Sequence, residues 1–397
     1  VTAPRPSIPP SDGFDRDVIV IGAGPAGAVL ARQVAQSGLS VLLVDAKRFP
    51  RDKVCGGCLN ARAVSILSAV GLEHVLAEIG AAPIEHVDFI SGARCLSVPL
   101  QGGWCFRRRD FDQALVQCAI AAGVEFQSGT VATLLPEQAP SDPNFRQVRL
   151  QLDGESINLK ARCVVISDGL NRRSLDETSD EFPTRISPYA WRGFSVTTPV
   201  GSQYAVPGAL RMILTSSGYV GLASCESDQM NIAAAMSLKL VRRHKNPGLA
   251  ATEILQSAGI QLDCDLSQVD WQGTGPLTRR SLTAAHRRVF LIGDSAGYVE
   301  PLTGEGMTWA IQSAVDAAPL VARAVQDWSD SLADEWTARL NRSIRRRQLT
   351  CHLLTTAVRS RWLTAACLSV ASFLPVAPQL IASHLNRPAK TLTNCPI

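Results

Sequence analysis

The stretch Asp17-Val18-Ile19-Val20-Ile21-Gly22-Ala23-Gly24-Pro25-Ala26-Gly27, continuing as AVLARQVAQSG and then LSVLLVDA to Ala46, decides the architecture. DVIVIG is a short apolar run rich in β-branched residues and reads as a buried strand. AGPAGAVLARQVAQSG has helical spacing and stops at Gly38, and LSVLLVD is a second buried strand. Apolar strands alternating with helices imply a parallel sheet covered on both faces. Within the turn, Gly22 allows the tight bend, Gly24 lets a pyrophosphate approach the backbone, and Gly27 permits close packing of helix on strand. Pro25 and Ala26 open the helix, whose free N–H groups and positive dipole end face the phosphates. Asp45, followed by Ala46, ends the second strand eighteen residues after Gly27, where a carboxylate can accept from ribose hydroxyls. Together these features predict a dinucleotide site. The acid disfavours a 2′-phosphate, which argues against NADP as the resident.

Working outward, 397 residues correspond to two or three domains at roughly 150 residues each. Hydrophobic residues at 46% and charged residues at 19% supply a core and exclude wholesale disorder. A net charge of +4, from 39 basic and 35 acidic residues, is too even for a nucleic-acid partner of the whole chain. Eleven scattered cysteines, an odd number, read as reduced thiols in a cytoplasmic protein rather than a disulfide scaffold. The proline-rich N-terminus carries no apolar run and reads as a flexible arm, not a secretory signal.

The expected organisation is a discontinuous α/β dinucleotide-binding domain of Rossmann type (14–84, 101–181 and 271–338). A β-ribbon (85–100) and an inserted antiparallel β-sheet substrate domain (182–270) interrupt it, and a basic, apolar helical extension (339–397) follows. FDQALVQCAIAAG predicts a helix ending at Gly123, and VRLQL-DG-ESINL a hairpin, after which CVVIS returns as a buried strand. In the insert, ISPYAWRGFSVTTP, LRMILTSS, GYVGLAS and QMNIAAAM read as strands, with one helix at about Gly248 to Ala258. The tail holds Arg339, Arg342, Arg345, Arg346, Arg347, Arg359 and Arg361 with no acid after Glu335. It then runs WLTAACLSVASFLPVAPQLIASHLN without charge, broken by Pro375 and Pro378. Helices packed on the fold come first among its readings, then a surface resting on membrane, and last a spanning helix.

A second cluster selects the dinucleotide. LIGDSAGYVEPLTGEGMTWAIQSA places Gly293-Asp294 at the end of a buried strand, where the aspartate can accept from a ribityl hydroxyl. The stretch Pro301 to Met307, with Gly304 and Gly306, opens a helix whose N–H groups and dipole stabilise the negative charge of a reduced flavin. FAD is therefore the expected cofactor.

With GAGPAG, KVCGGCL (Lys53 to Leu59), RRRDFDQAL (Arg107 to Leu115), SDG (Ser167 to Gly169) and GDSAGYVEPLTGEGMTWA in view, the chain resembles the flavoprotein monooxygenase superfamily, within it the geranylgeranyl-reductase-like branch. The resemblance spans about Asp17 to Gln326. It implies that Arg108 contacts the FAD phosphate or ribose region, with Arg107 and Arg109 as competing registers. It further implies Val131 near the adenine, Asp168 and Gly169 near the pyrophosphate, and Gly304, Gly306 and Met307 facing the isoalloxazine. Cys55, with Gly56 and Gly57, matches a cysteine–glycine loop beside the flavin, and these are the candidate catalytic residues, with Cys55 lining the substrate pocket. Cys58 departs from the pattern, since glycine is more usual there.

No second C-x-x-C or C-x-x-H completes a zinc site, so no metal is expected. The six histidines stand apart and form no triad. Halogenases share the implied fold, but AWRGFS around Trp191 lacks the second tryptophan and the proline of their motif, and the surroundings of Lys53 do not fit their catalytic lysine. Three functions remain. First is reduction or dehydrogenation of a carbon–carbon bond in a hydrophobic or lipid substrate. Second is hydroxylation of an aromatic or polyketide-like substrate. Third is a non-enzymatic membrane-associated module. No second nucleotide motif exists, so NAD(P)H or an external electron donor would bind transiently.

Overall fold

In the computed structural model, which describes residues 14–137, 144–199, 206–226, 229–300, 302–373 and 379, the opening βαβ unit is present. β1 (Arg16–Ile21) leads through the glycine turn into α1 (Pro25–Gln36) and then β2 (Val41–Asp45). After a loop come β3 (Cys58–Leu59), α2 (Ala61–Ala69) and α3 (His74–Glu78). Asn60 starts α2 by accepting the Ala63 N–H at 3.0 Å, as an N-cap should. The ribbon is β4 (Ala82–Ser91) and β5 (Arg94–Cys105), and α4 (Arg108–Ala121) follows. Next are β6 (Glu125–Ser128), β7 (Val131–Leu134), β8 (Arg146–Leu152) and β9 (Glu155–Ile166). Asp153 and Gly154 join β8 to β9 with φ of 48° and 89°, the double left-handed turn that an Asp-Gly pair favours.

The chain then forms β10 (Thr184–Ile186), β11 (Arg192–Pro199), β12 (Gly208–Thr215), β13 (Gly218–Glu226) and β14 (Gln229–Met236). α5 (Leu238–His244), α6 (Pro247–Gln256), β15 (Gln272–Pro276), β16 (Arg279–Ser281) and β17 (Ala285–His286) come next. β18 (Val289–Leu291) and the long α7 (Gly306–Gln326) return to the first layer, and between them β19 (Gly297–Tyr298) pairs with β16 in a small sheet with β10. α8 (Asp330–Leu340), α9 (Arg346–Val358) and α10 (Arg361–Phe373) follow.

Three details differ from the sequence reading. CVVIS is the apolar end of the single strand β9: residues near Ser156 to Lys160 pair antiparallel with β8, and Cys163 to Ile166 run parallel to β1. ISPYAWRGFSVTTP splits into β10 and β11, which join different sheets. The one expected helix of the insert is two. Ser237 caps α5, which ends at Lys245 in the left-handed region, and Asn246 with Pro247 starts α6 afresh.

The first sheet has the order β17-β18-β9-β1-β2-β6, with β8 and β7 beside β9. Pairs β18–β9, β9–β1, β1–β2 and β2–β6 are parallel, and Val18, Ile19, Val20, Val164 and Val165 are fully buried. The second sheet has the order β15-β11-β14-β13-β12-β4-β5-β3, so the ribbon and the insert form one layer. Alternation divides its faces. Ile213, Val220, Ile232 and Ala234 pack on Ile254 and Leu255 of α6. Met212, Leu214, Tyr219 and Ala235 point the other way, into a cluster with Trp191, Leu302, and Val358 and Leu368 of the C-terminal helices. Among the described residues, no helix is long and apolar enough to cross a membrane. Pro375 and Pro378 lie outside them.

Candidate active site

Because β18, β9, β1, β2 and β6 run parallel, their C-terminal ends share one edge, and the loops that follow them gather there. Gly22, Asp45–Ala46, Ser167–Gly169 and Gly293–Asp294 all lie on this edge. The Gly22 N–H donates to Val44 O at 2.7 Å, and Ser167 N–H donates to Ile21 O at 2.7 Å. Ser167 Oγ donates to Gly22 O at 2.7 Å. A Cβ on Gly27 would stand 1.9 Å from Gly22 O, so helix and turn approach as only glycine permits. A Cβ on Gly293 would stand 3.0 Å from Ala26 Cβ. Gly293 N–H donates to Ser313 Oγ of α7 at 2.8 Å. The two glycine-rich junctions are thus packed against each other.

The carboxylate of Asp45 braces this edge. It accepts from Ala23 N–H at 3.0 Å, from Lys47 N–H at 2.9 Å and from Arg51 at 3.2 Å. Arg51 reaches on to Asp112 at 2.9 Å, and its guanidinium passes 3.8 Å from the Cβ direction of Gly24. Arg108 holds Asp112 with two bonds of 2.9 and 2.8 Å. Of the three adjacent arginines only Arg108 turns inward; Arg107 pairs with Asp110 and Arg109 points out toward Asp52. Burial alone would raise the fully buried Asp112 carboxyl, but Arg108 and Arg51 hold it below the ordinary carboxylate range.

Lys53 enters from the other side. Its ammonium lies 3.0 Å from where a Gly169 Cβ would stand and makes no hydrogen bond to a described residue. Burial, then repulsion from Arg51 and Arg108, push it down from the ordinary lysine value, against the pull of Asp294 and Asp112. Asp294 is the complementary case. Its carboxylate also makes no hydrogen bond to a described residue, and burial raises its pKa against Lys53, Arg108 and Arg279. Asp168 is already engaged, accepting from Ser174 N–H at 3.0 Å, Ser174 Oγ at 2.8 Å and Ser295 Oγ at 3.1 Å. It orders the loop that carries Gly169. Val131 is exposed on β7, next to Thr130, whose N–H donates to Asp45 O at 3.0 Å; Ala46 is exposed beyond β2.

At the far end, Gly304 takes φ +70° with nothing within 4 Å of a Cβ, and Met307 is buried in the first turn of α7. Pro301 lies outside the described residues. A Cβ on Gly306 would meet Tyr298 Oη at 2.8 Å. Burial, with Asp294 and Cys55 nearby, pushes the Tyr298 phenol well up. Two buried carboxylates of this loop are held by arginines of α9 and its C-terminal end. Glu300 accepts from Trp191 N–H at 2.7 Å and from Arg359 at 3.0 and 2.7 Å, and Arg359 stacks over the Trp191 ring at 4.7 Å. Glu305 pairs with Arg347, whose Nε donates at 2.8 Å.

The Cys55–Gly57 loop is pressed onto the second sheet. Cys55 N–H donates to Ser195 Oγ at 3.2 Å, and Asn231 donates to Gly56 O at 3.4 Å and Phe106 O at 3.0 Å. Gly57 sits at φ +65°, where a Cβ would stand 2.1 Å from Phe106 O. Cys55 Sγ accepts the Gly57 N–H at 3.4 Å and lies beside the Arg108 guanidinium. Cys58 Sγ donates instead to Gly56 O and pairs across strands with Cys105; both Cys55 and Cys58 are free thiols. Among the described residues no cluster of histidine, cysteine and carboxylate could hold a metal ion.

These groups fit a flavin dinucleotide. Gly22 and Gly27 leave no room for a Cβ, Lys53 offers an unpaired cation for phosphate, and Asp294 offers a free acceptor for a polyol. Arg51, Asp112, Tyr298, Glu300 and Arg359 were not expected from sequence. The Arg51–Asp112 and Arg359–Glu300 pairs join residues 61 and 59 positions apart, and single Arg or Tyr residues carry no spacing signal.

Fold and site together define an FAD-dependent oxidoreductase. The chain belongs to the FAD-binding-domain family, whose model matches residues 15–348. It is 27% identical over 350 residues to menaquinone reductase of Mycobacterium tuberculosis, covering 81% of this chain and 80% of that one. It is 28% identical over 331 residues to digeranylgeranylglycerophospholipid reductase 1 of Methanopyrus kandleri, covering 78% and 81%. The solved structure of a flavoprotein/dehydrogenase from Cytophaga hutchinsonii shares the fold at a TM-score of 0.77 and 17% identity, covering 93% and 92%. CmlS, a flavin-dependent halogenase, shares it at 0.72 and 18%, covering 93% and 72%. Fold alone therefore does not choose the reaction.

Proposed function

We propose that the protein reduces or dehydrogenates a carbon–carbon bond in a long apolar, isoprenoid-like substrate. FAD, when bound, supplies hydride exchange at its N5, and NAD(P)H or an external donor visits transiently. One observation carries the reading: the seat of the Cys55–Gly57 loop. It rests on a strand face whose centre is small, with Gly193, Ser195, Gly221, Ala233 and Ala235. The flanks are Trp191, Tyr219, Met212 and Leu214. Both relatives are named as reductases, one of menaquinone and one of a digeranylgeranyl lipid, in line with such a substrate.

In this reading Gly22, Gly24 and Gly27, with Pro25 and Ala26, receive the pyrophosphate on the N-terminus of α1. Lys53, Arg108 and Gly169 complete its seat. Asp45 uses its remaining lone pairs for the adenosine ribose, Ala46 and Val131 border the adenine, and Asp168 holds the Gly169 loop. Gly293 and Asp294 take the ribityl chain, and Pro301, Gly304, Gly306 and Met307 border the ring. Cys55 lines the substrate pocket. Tyr298, kept protonated by burial, gives the proton that a reduced double bond needs on its second carbon, and solvent restores it.

Three results check these assignments. Asp294→Ala should weaken FAD binding about 10- to 100-fold, the loss of charge-assisted hydrogen bonds to a polyol, with an unchanged far-ultraviolet spectrum. Unchanged flavin content would count against the ribityl role. Cys55→Ser should retain FAD while turnover drops about tenfold or more, and full activity would make Cys55 structural. For the reaction itself, mass spectrometry of an isoprenoid product should show two added hydrogens. Incorporation of an oxygen atom, with substrate-triggered oxygen uptake, would replace reduction by hydroxylation.

A further inference from the structure

α9 and α10 each have two unlike faces. On α9, Gln348, Cys351, Thr355 and Val358 turn inward, whereas Leu349 and Leu353 are 60% and 63% exposed, with Leu354 beside them. On α10, Thr364 and Leu368 are buried, whereas Trp362 is 84% exposed and Leu363 and Val370 more than half exposed. Six large apolar side chains are thus exposed on the outer sides of two consecutive helices, and exposed apolar surface concentrated in this way marks a contact surface. Its border is cationic. Arg342, Arg346 and Arg361 are exposed, and exposed Arg94 of the ribbon donates to Ser369 Oγ at 2.9 Å. No acidic residue follows Glu335 in the chain.

We propose that this face of α9 and α10 seats on an anionic lipid bilayer, with Trp362, Leu349, Leu353 and Leu363 entering the interface and the arginines meeting lipid phosphates. Charge complementarity decides the occupant. An apolar centre in a ring of arginines matches an interface with anionic headgroups above acyl chains. Two copies of this chain joined through the same face would set like-charged rims against each other. A buried tryptophan would be ordinary core, but one at the rim of an apolar patch suits the headgroup boundary. The docking stands on this geometry alone. Its use, delivery of a membrane-held substrate, rests on the function proposed above: Val358 and Leu368, on the inner sides of the same helices, belong to the Trp191–Tyr219 cluster. One helix, about 10 Å across, separates the patch from that cluster.

Vesicle co-sedimentation of the full chain tests the docking without any activity measurement. The protein should bind vesicles of phosphatidylcholine with phosphatidylglycerol, bind pure phosphatidylcholine far more weakly, and be released as salt rises. Leu353→Ser with Trp362→Ser should weaken binding about tenfold or more, with flavin content and melting temperature kept. Arg346→Gln with Arg361→Gln should abolish most of the preference for phosphatidylglycerol. Wild-type protein that stays in the supernatant, or a Leu353→Ser, Trp362→Ser variant that binds as well as wild type, overturns the proposal. So does light scattering that shows a wild-type dimer lost in that variant, because the face would then belong to a second copy.

Discussion

Arg359→Leu is expected to destabilise the protein by about 3–5 kcal/mol, read as a lower urea midpoint, because it strands a buried carboxylate. Glu300 is 0% exposed, and Arg359 supplies its only ion pair among the described residues. The same carboxylate holds Trp191 N–H at 2.7 Å, and the Glu300 carbonyl accepts from Cys351 Sγ at 3.2 Å. The lost cation therefore loosens β11, α9 and the approach to α7 together. Adding Glu300→Gln to Arg359→Leu should recover most of the loss. A neutral amide needs no cation, and its oxygen still accepts from Trp191. If the double variant is no more stable than the single one, the ion pair is not what anchors this loop.

Gly27→Ala is the second large effect. Its Cβ would lie 1.9 Å from Gly22 O and 2.5 Å from Ser167 Oγ, and the first of these is backbone that cannot swing aside. Either α1 lifts from β1 or the turn opens, at about 1–3 kcal/mol for forced overpacking. Both movements displace the helix N-terminus that faces the pyrophosphate, so the variant should purify with little flavin, read from absorbance against protein. Gly38→Ala is the control, since its Cβ meets nothing within 4 Å although its φ is +85°. It should lose some stability and keep its flavin. Equal flavin in Gly27→Ala and wild type would contradict the packing described here.

The contrast between these positions shows what a sequence can and cannot disclose. The parallel sheet was legible because strand, glycine turn, helix and acid follow one another locally, and each step has a steric or electrostatic cause. The second junction was legible for the same reason, and FAD followed from the pair. Arg51 bridging Asp45 and Asp112, and Arg359 reaching Glu300 across 59 positions, were not legible. Such pairs are set by how layers stack, and no local spacing records them. Strand β9 was read as two pieces because its first half is polar and its second apolar. The change in pairing partner, from β8 to β1 and β18, explains the change in composition. The arginines of the tail looked like one basic run, yet the structure sorts them. Arg347 and Arg359 turn inward to carboxylates, and Arg342, Arg346 and Arg361 remain on the surface.

That sorting gives the C-terminal helices a part in the site. Glu300 and Glu305 flank the segment that opens α7; Arg347 of α9 holds Glu305, and Arg359, at the end of α9, holds Glu300. The loop borders the flavin end of the cradle in the reading proposed here, so α9 positions it through two ion pairs while Cys55 approaches from the opposite sheet. In that reading, three separate parts of the chain meet at the substrate.

The most direct test is an anaerobic half-reaction. The flavoprotein is reduced, freed of excess donor and mixed in a stopped-flow cell with a polyunsaturated isoprenoid quinone or lipid. Rapid return of oxidised flavin absorbance is expected, with the matching loss of one substrate double bond. Flavin that stays reduced with every isoprenoid and reoxidises only when oxygen is admitted with a phenol would contradict it.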